Sequence, residues 1–221
     1  MTSSTEAGRP EVPDERGARE ALPVFADGWL ADAERCESPN YDARPAGCEV
    51  RLVVVHAISL PPDEFGGPGV SQLFTNALDP AAHPYYATIR DLRVSAHFFI
   101  ARDGRLMQFV SADRRAWHAG ASNWRGRERC NDFSLGIELE GCDTLPFETA
   151  QYERLAALVR TLCAHYPIED VVGHSDIAPG RKTDPGPFFD WERLGALLAG
   201  PGAVAVRGTQ PPRPAAGAEA G

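Results

Sequence analysis

The chain has almost no lysine: of its 22 basic residues, Lys182 alone is not an arginine. Its five cysteines (Cys36, Cys48, Cys130, Cys142 and Cys163) are odd in number, and none belongs to a C-x-x-C pair. That pattern excludes a disulfide framework and a cysteine-rich zinc site, and free thiols suit a reducing compartment. Any metal bound here falls to histidine and carboxylate. No apolar run approaches the roughly 18–20 residues of a membrane-crossing helix, so no membrane partner is expected. The opening MTSSTEAGRPEVPDERGARE has no cationic start followed by an apolar stretch, so the expected compartment is the cytoplasm. Positive charge is also in deficit. With 22 basic against 31 acidic residues the net charge is −9, which argues against a nucleic-acid partner.

What is present is ordinary for one soluble domain: 221 residues, 43% hydrophobic and 24% charged. Residues 1–22 mix polar residues with Gly and Pro and read as a flexible N-terminal extension. Residues 201–221, rich in Pro, Ala and Gly, read as a disordered tail, which leaves 23–200 as the folded domain. Within it, RLVVVHAIS (51–59) has the continuous β-branched character of a buried central strand. A short helix is expected around 70–78. VSAHFFIA and RLMQFVS flank Arg102-Asp103-Gly104, a hairpin signal. FSLGIELEG (133–141) and VVGH (171–174) read as further strands. Tyr152, Leu155, Ala156, Val159 and Leu162 recur at helical spacing with Thr149 as N-cap, and Asp190 caps a last helix through Trp191, Leu194, Leu197 and Leu198. The expected fold is therefore α/β (α+β-like), a single domain with a central mixed β-sheet flanked by helices, and nothing demands more than a monomer.

His56 and His174 each end an expected strand, and Asp184 follows His174 by ten residues across a loop rich in Pro and Gly. Two imidazoles and a carboxylate suit a catalytic zinc ion that keeps a fourth position for water. The spacings match no short zinc pattern, and each histidine reads equally as a hydrogen-bonded core residue. Glu138 and Glu140 share one strand face while Ile137 and Leu139 fill the other, which fits either a general base or a solvated face. Lys182 and Asp184 project the same way in an extended segment. The lone ammonium is either an accident of composition or a compact charge where a guanidinium would not fit. Between 90 and 129 nine arginines face four acids, either a groove for a carboxylate-bearing ligand or scattered surface pairs. His97 reads as a core residue or as one supporting a site.

Five ordered segments carry more. DGWLADAERCESPNYDARP, VVVHAISLPPDEFGGP, LRVSAHFFIARDGRLMQFV, RAWHAGASNWRGRERCNDFSLGIELEG and GHSDIAPGRKTDPGPFFDW, spanning roughly 27–198, resemble the AmpD family of zinc-dependent 1,6-anhydro-N-acetylmuramoyl-L-alanine amidases. The resemblance implies the amidase/peptidoglycan-recognition fold and a Zn2+ cofactor. It also implies an anhydromuropeptide substrate recovered in cell-wall turnover. It assigns His56, His174 and Asp184 as metal ligands, Glu138 as base and Lys182 as the residue steadying the transition state. Arg93 and Arg129 match substrate-holding positions, and Trp117 and His118 of WHAG are expected to line the groove. One position departs: the family commonly has Asn after the first histidine, and here Ala57 offers neither donor nor acceptor. An amidase of intact wall polymer and a non-catalytic muropeptide-binding module are the alternatives. The complete ligand set weighs against the second.

Overall fold

The β-branched run after Arg51 does form the middle of a sheet in the computed structural model, which describes residues 25–211. Seven strands make it up: β1 (Glu34–Arg35), β2 (Leu52–Ile58), β3 (Phe98–Ile100), β4 (Leu106–Gln108), β5 (Ser134–Glu140), β6 (Asp170–Gly173) and β7 (Ala205–Val206). Their order across the sheet is β7-β6-β2-β5-β3-β4-β1. Every neighbouring pair is parallel except the β3–β4 hairpin, whose Gly104 takes φ +85° in the turn. The sheet is thus mixed. Five helices accompany it: α1 (Gly69–Phe74), α2 (Pro84–Thr88), α3 (Thr149–His165), α4 (His174–Ile177) and α5 (Trp191–Leu198).

Strand alternation divides the sheet into a core face and a site face. Val53 and Val55 of β2 and Leu135, Ile137 and Leu139 of β5 pack with Tyr152, Leu155, Val159 and Leu162 of α3 and with Trp191, Leu194 and Leu198 of α5. The residues between them on β2 and β5, including His56 and Glu138, face the other way. The β2–β5 register sets Glu138 directly beside His56.

Several boundaries differ from expectation, beginning with α1, which ends at Phe74 rather than near 78. The N-cap of α3 is Glu148, whose N–H donates to Gln151 Oε1 at 3.0 Å, so Thr149 is already helical. His174 does not end a strand; it opens the single turn α4. The expected disordered tail is ordered as far as residue 211. There β7 adds to the sheet edge, Val204 and Val206 pack on the main core, and Arg207 Nε donates to buried Asp170 Oδ1 at 2.6 Å. Two valines and one arginine in a low-complexity stretch are enough, because Arg207 supplies the partner of Asp170 Oδ1 while Trp124 Nε1 (3.0 Å) and Arg125 (3.1 Å) hold Oδ2. The expected N-terminal extension, 1–22, and residues 212–221 lie outside the described residues. Among the described residues no helix is long and apolar enough to cross a membrane.

Candidate active site

Three elements bring the candidate ligands together. His56 stands on β2, His174 opens α4 directly after β6, and Asp184 returns on the loop that follows α4. That return is built in by Gly173, where a Cβ would lie 2.9 Å from Pro185 Cδ. It is closed by Ser175 N–H donating to Asp184 O at 2.9 Å. Arg181 ties the same loop across the site by donating to Ala119 O (2.7 Å) and Ala121 O (2.6 Å).

The donor atoms converge. His56 Nδ1 lies 3.0 Å from His174 Nδ1 and 3.1 Å from Asp184 Oδ2, and His174 Nδ1 lies 3.0 Å from the same oxygen. His174 Nε2 faces Ala119 O at 3.1 Å, which only accepts, so the ring proton sits on Nε2 and Nδ1 presents a lone pair. Burial, with His174 adding to it, pulls the His56 imidazole down to about 4, so it is neutral near pH 7. Two imidazole nitrogens and a carboxylate oxygen aimed at one point form a donor set that a divalent metal ion fits.

Glu138 completes the constellation. Burial pushes its carboxyl well above the ordinary range, Asp184 adds to this, and Lys182 opposes it. Its Oε2 is buried without a hydrogen-bond partner, an orphan acceptor that calls for a ligand. Glu140, on the same strand face, has a different use: its carboxylate accepts from Gly66 N–H and from Arg102 N–H at 3.0 Å, anchoring the loop before α1. The exposed Lys182 sits close enough for its charge to act on both Glu138 and His56.

The family described as N-acetylmuramoyl-L-alanine amidase matches residues 46–187, well over half of the chain. The chain belongs to this amidase family. Over 174 residues it is 60% identical to the 1,6-anhydro-N-acetylmuramyl-L-alanine amidase AmpD of Salmonella typhimurium, covering 78% of this chain and 93% of that protein. A crystal structure of a selenomethionine AmpD derivative superposes with a TM-score of 0.78 at 58% identity, covering 80% of this chain and 99% of the other. The amidase AmiD of Escherichia coli has been solved with the substrate anhydro-N-acetylmuramic acid-L-Ala-D-gamma-Glu-L-Lys. It is 33% identical, with a TM-score of 0.50, and the match covers 80% of this chain and 66% of that one.

The remaining candidate residues of the amidase each make contacts of their own. Arg93 is exposed and folds its guanidinium onto its own loop, donating to Arg90 O (3.0 Å) and Leu92 O (3.1 Å). Arg129 takes a left-handed conformation (φ 61°), pairs with Asp132 at 3.2 Å and lines a 440 Å3 groove with Ala121, Ser122, Asn123, Glu128 and Ile177. Trp117 is half-buried, with its main-chain N–H on Ser95 Oγ at 3.0 Å. Ala57 packs against the main core, on the strand face opposite His56.

His118 does not line the groove. It is buried behind His56, its Nδ1 2.9 Å from His56 Nε2, because the main chain after Trp117 turns inward at Asn131, whose Oδ1 accepts from Ala119 N–H at 2.8 Å. His97 is buried next to it, with ring centroids 5.7 Å apart. Four of the six histidines thus form one buried row, His97–His118–His56–His174. Sequence reasoning passed over Ser134 and Gly136, which share the face of Glu138 on β5. Two small residues at alternate positions on a strand whose other face is Leu135, Ile137 and Leu139 were the available signal, since a small-residue face leaves room for a ring.

Proposed function

We propose that the amidase hydrolyses the amide between the lactyl carbonyl of anhydro-N-acetylmuramic acid and the amine of L-alanine, using zinc held by His56, His174 and Asp184. In a recycling role the enzyme would work in the cytoplasm, on muropeptides returned from the wall. The observation that carries the reading is the orphan carboxylate oxygen of Glu138 set in register beside His56, one strand away from a converging His-His-Asp set. Nitrogen donors favour zinc over magnesium or calcium. Tetrahedral bonds of ~2.0 Å to zinc imply ligand–ligand edges of about 3.3 Å, close to the 3.0–3.1 Å separations here. The high identity to AmpD proteins supports the anhydro sugar, and the ligand of AmiD supports the peptide.

Zinc supplies Lewis acidity toward the carbonyl and toward water. The rest falls to the chain. Glu138, raised by burial, accepts the proton of the attacking water and passes it to the leaving alanine nitrogen, so the C–N bond breaks to a carboxylic acid and a free amine. Lys182 brings a compact positive charge to the oxygen that becomes negative. Arg93, Arg129 and Trp117 are the groups proposed to hold the substrate, the arginines through the stem-peptide carboxylates.

The test is incubation of the purified protein with anhydromuramoyl-tripeptide, read by mass spectrometry. Release of free tripeptide and anhydromuramic acid, abolished by chelator and restored by zinc, is the expected result. Intact substrate after incubation with zinc-loaded protein would refute the assignment of the bond.

A further inference from the structure

His118 is built in on every side. Gly136 lies under its ring, where a Cβ would stand 2.5 Å from His118 Cγ, so no other residue fits beneath it. Its main chain is fixed by Asn131 Oδ1, which accepts from His118 N–H at 3.2 Å. Its ring stands edge-on to that of His56, with centroids 5.0 Å apart at 86°.

Proton placement follows from one carbonyl. Ser134 Oγ lies 2.6 Å from Cys130 O, which can only accept, so the hydroxyl proton is committed there. Ser134 Oγ, 3.2 Å from His118 Nε2, is then left to accept, and the proton of the neutral His118 ring sits on Nε2. His118 Nδ1 is therefore a bare acceptor, 2.9 Å from His56 Nε2, and the proton between them belongs to His56. With Nε2 protonated, neutral His56 turns an unprotonated Nδ1 toward His174 and Asp184.

We infer that His118, locked by Ser134, is a positioning residue that holds His56 in its Nε2–H tautomer and so presents Nδ1 to the metal. The inference rests on the zinc reading of the site. His118 touches neither substrate nor metal; it acts through His56. Partners of this kind are typically worth about 10–100-fold in metal affinity.

The experiment measures zinc affinity of the full-length, metal-stripped chain by competition with a fluorescent chelator. It is paired with melting of the metal-free protein and the His56 ring 15N shifts, which report the tautomer. His118→Phe keeps the ring over Gly136 and removes both polar atoms; zinc affinity is expected to fall about 10–100-fold, with mixed His56 tautomers. His118→Asn, whose Oδ1 replaces the Nδ1 acceptor, is expected to regain most of that loss. Ser134→Ala frees the far end of the relay and is expected to cost severalfold in affinity. His118→Phe binding zinc as tightly as the natural protein would overturn the inference and leave the zinc reading standing. A natural protein that binds no zinc would overturn both. Should His118→Phe fail to fold, Ser134→Ala decides: unchanged affinity and an unchanged His56 tautomer refute the relay.

Discussion

Replacing Glu138 by glutamine is expected to stabilise the metal-free amidase while removing its turnover. The carboxyl is raised well above its ordinary range by burial, with Asp184 adding and Lys182 opposing, so the folded state holds the proton more tightly than the unfolded chain does. Below the unfolded pKa of about 4.3 both states are protonated and ionisation costs nothing. As pH rises past that value the unfolded chain ionises first, and stability is lost until the folded pKa is reached. Glu138 Oε2 has no partner in the fold to offset that charge. Glutamine keeps the shape and deletes the charge. The variant should therefore match the natural protein near pH 4 and exceed it near pH 7.5, by about 1.4 kcal/mol for each pH unit between the unfolded and folded pKa values, at roughly 2–4 °C in Tm per kcal/mol for a chain of this size. The assay is paired thermal melting of chelator-treated proteins across that range. Groups common to both proteins cancel in the difference. Added zinc should narrow the gap, because a nearby dication compensates the carboxylate, and kcat should fall by about 10²–10⁴. Equal melting at pH 7.5, or a gap that does not change with pH, would refute the reasoning.

Asp184→Ala is expected to lose zinc and turnover together, whereas Glu138→Gln keeps the metal; zinc content by mass spectrometry and turnover on one preparation separate the two. Lys182→Arg is expected to leave kcat about 10²–10³ below the natural enzyme, since a broad, planar guanidinium does not replace a compact ammonium; near-natural kcat would make the lone lysine an accident. Truncation after Gly202 removes β7, the Arg207–Asp170 pair at 2.6 Å and the Thr209–Asp176 bonds. Loss of a charge-assisted bond to a buried carboxylate costs on the order of 2 kcal/mol, so Tm should drop by about 4–8 °C. An unchanged calorimetric Tm would mean that the C-terminal segment adds nothing.

Legibility followed the range of the interactions. The strands at 52–58 and 134–140 were readable because a buried strand needs a local run of β-branched or alternating residues. The hairpin announced itself at Arg102-Asp103-Gly104, where the turn needs a positive φ. The α5 cap was equally local: Asp190 accepts from Arg193 N–H at 2.9 Å. His118 went the other way. Its WHAG context placed it at the groove, but Gly136 leaves room for its ring and His56, 62 residues upstream, takes its Nδ1 at 2.9 Å. The ordered segment to residue 211 was hidden for a similar reason, since its anchors, Asp170 and Asp176, lie more than thirty residues upstream.

The sequence alone determined the chemistry available to this amidase: histidine and carboxylate in place of cysteine for metal, one lysine, and a glutamate alternating with apolar neighbours on a strand. Those are properties of residue types and short spacings, and they survive without coordinates. Only the tertiary structure decided which of six histidines meet Asp184, which of two neighbouring glutamates is left without a partner, and where the ring protons sit. Each depends on at least one pair of groups more than fifty residues apart, brought within about 3 Å by the β2–β5–β6 register and by the fold-back of one loop. A carbonyl at Cys130 can dictate a proton on His56 only once the sheet has put Ser134, His118 and His56 in line.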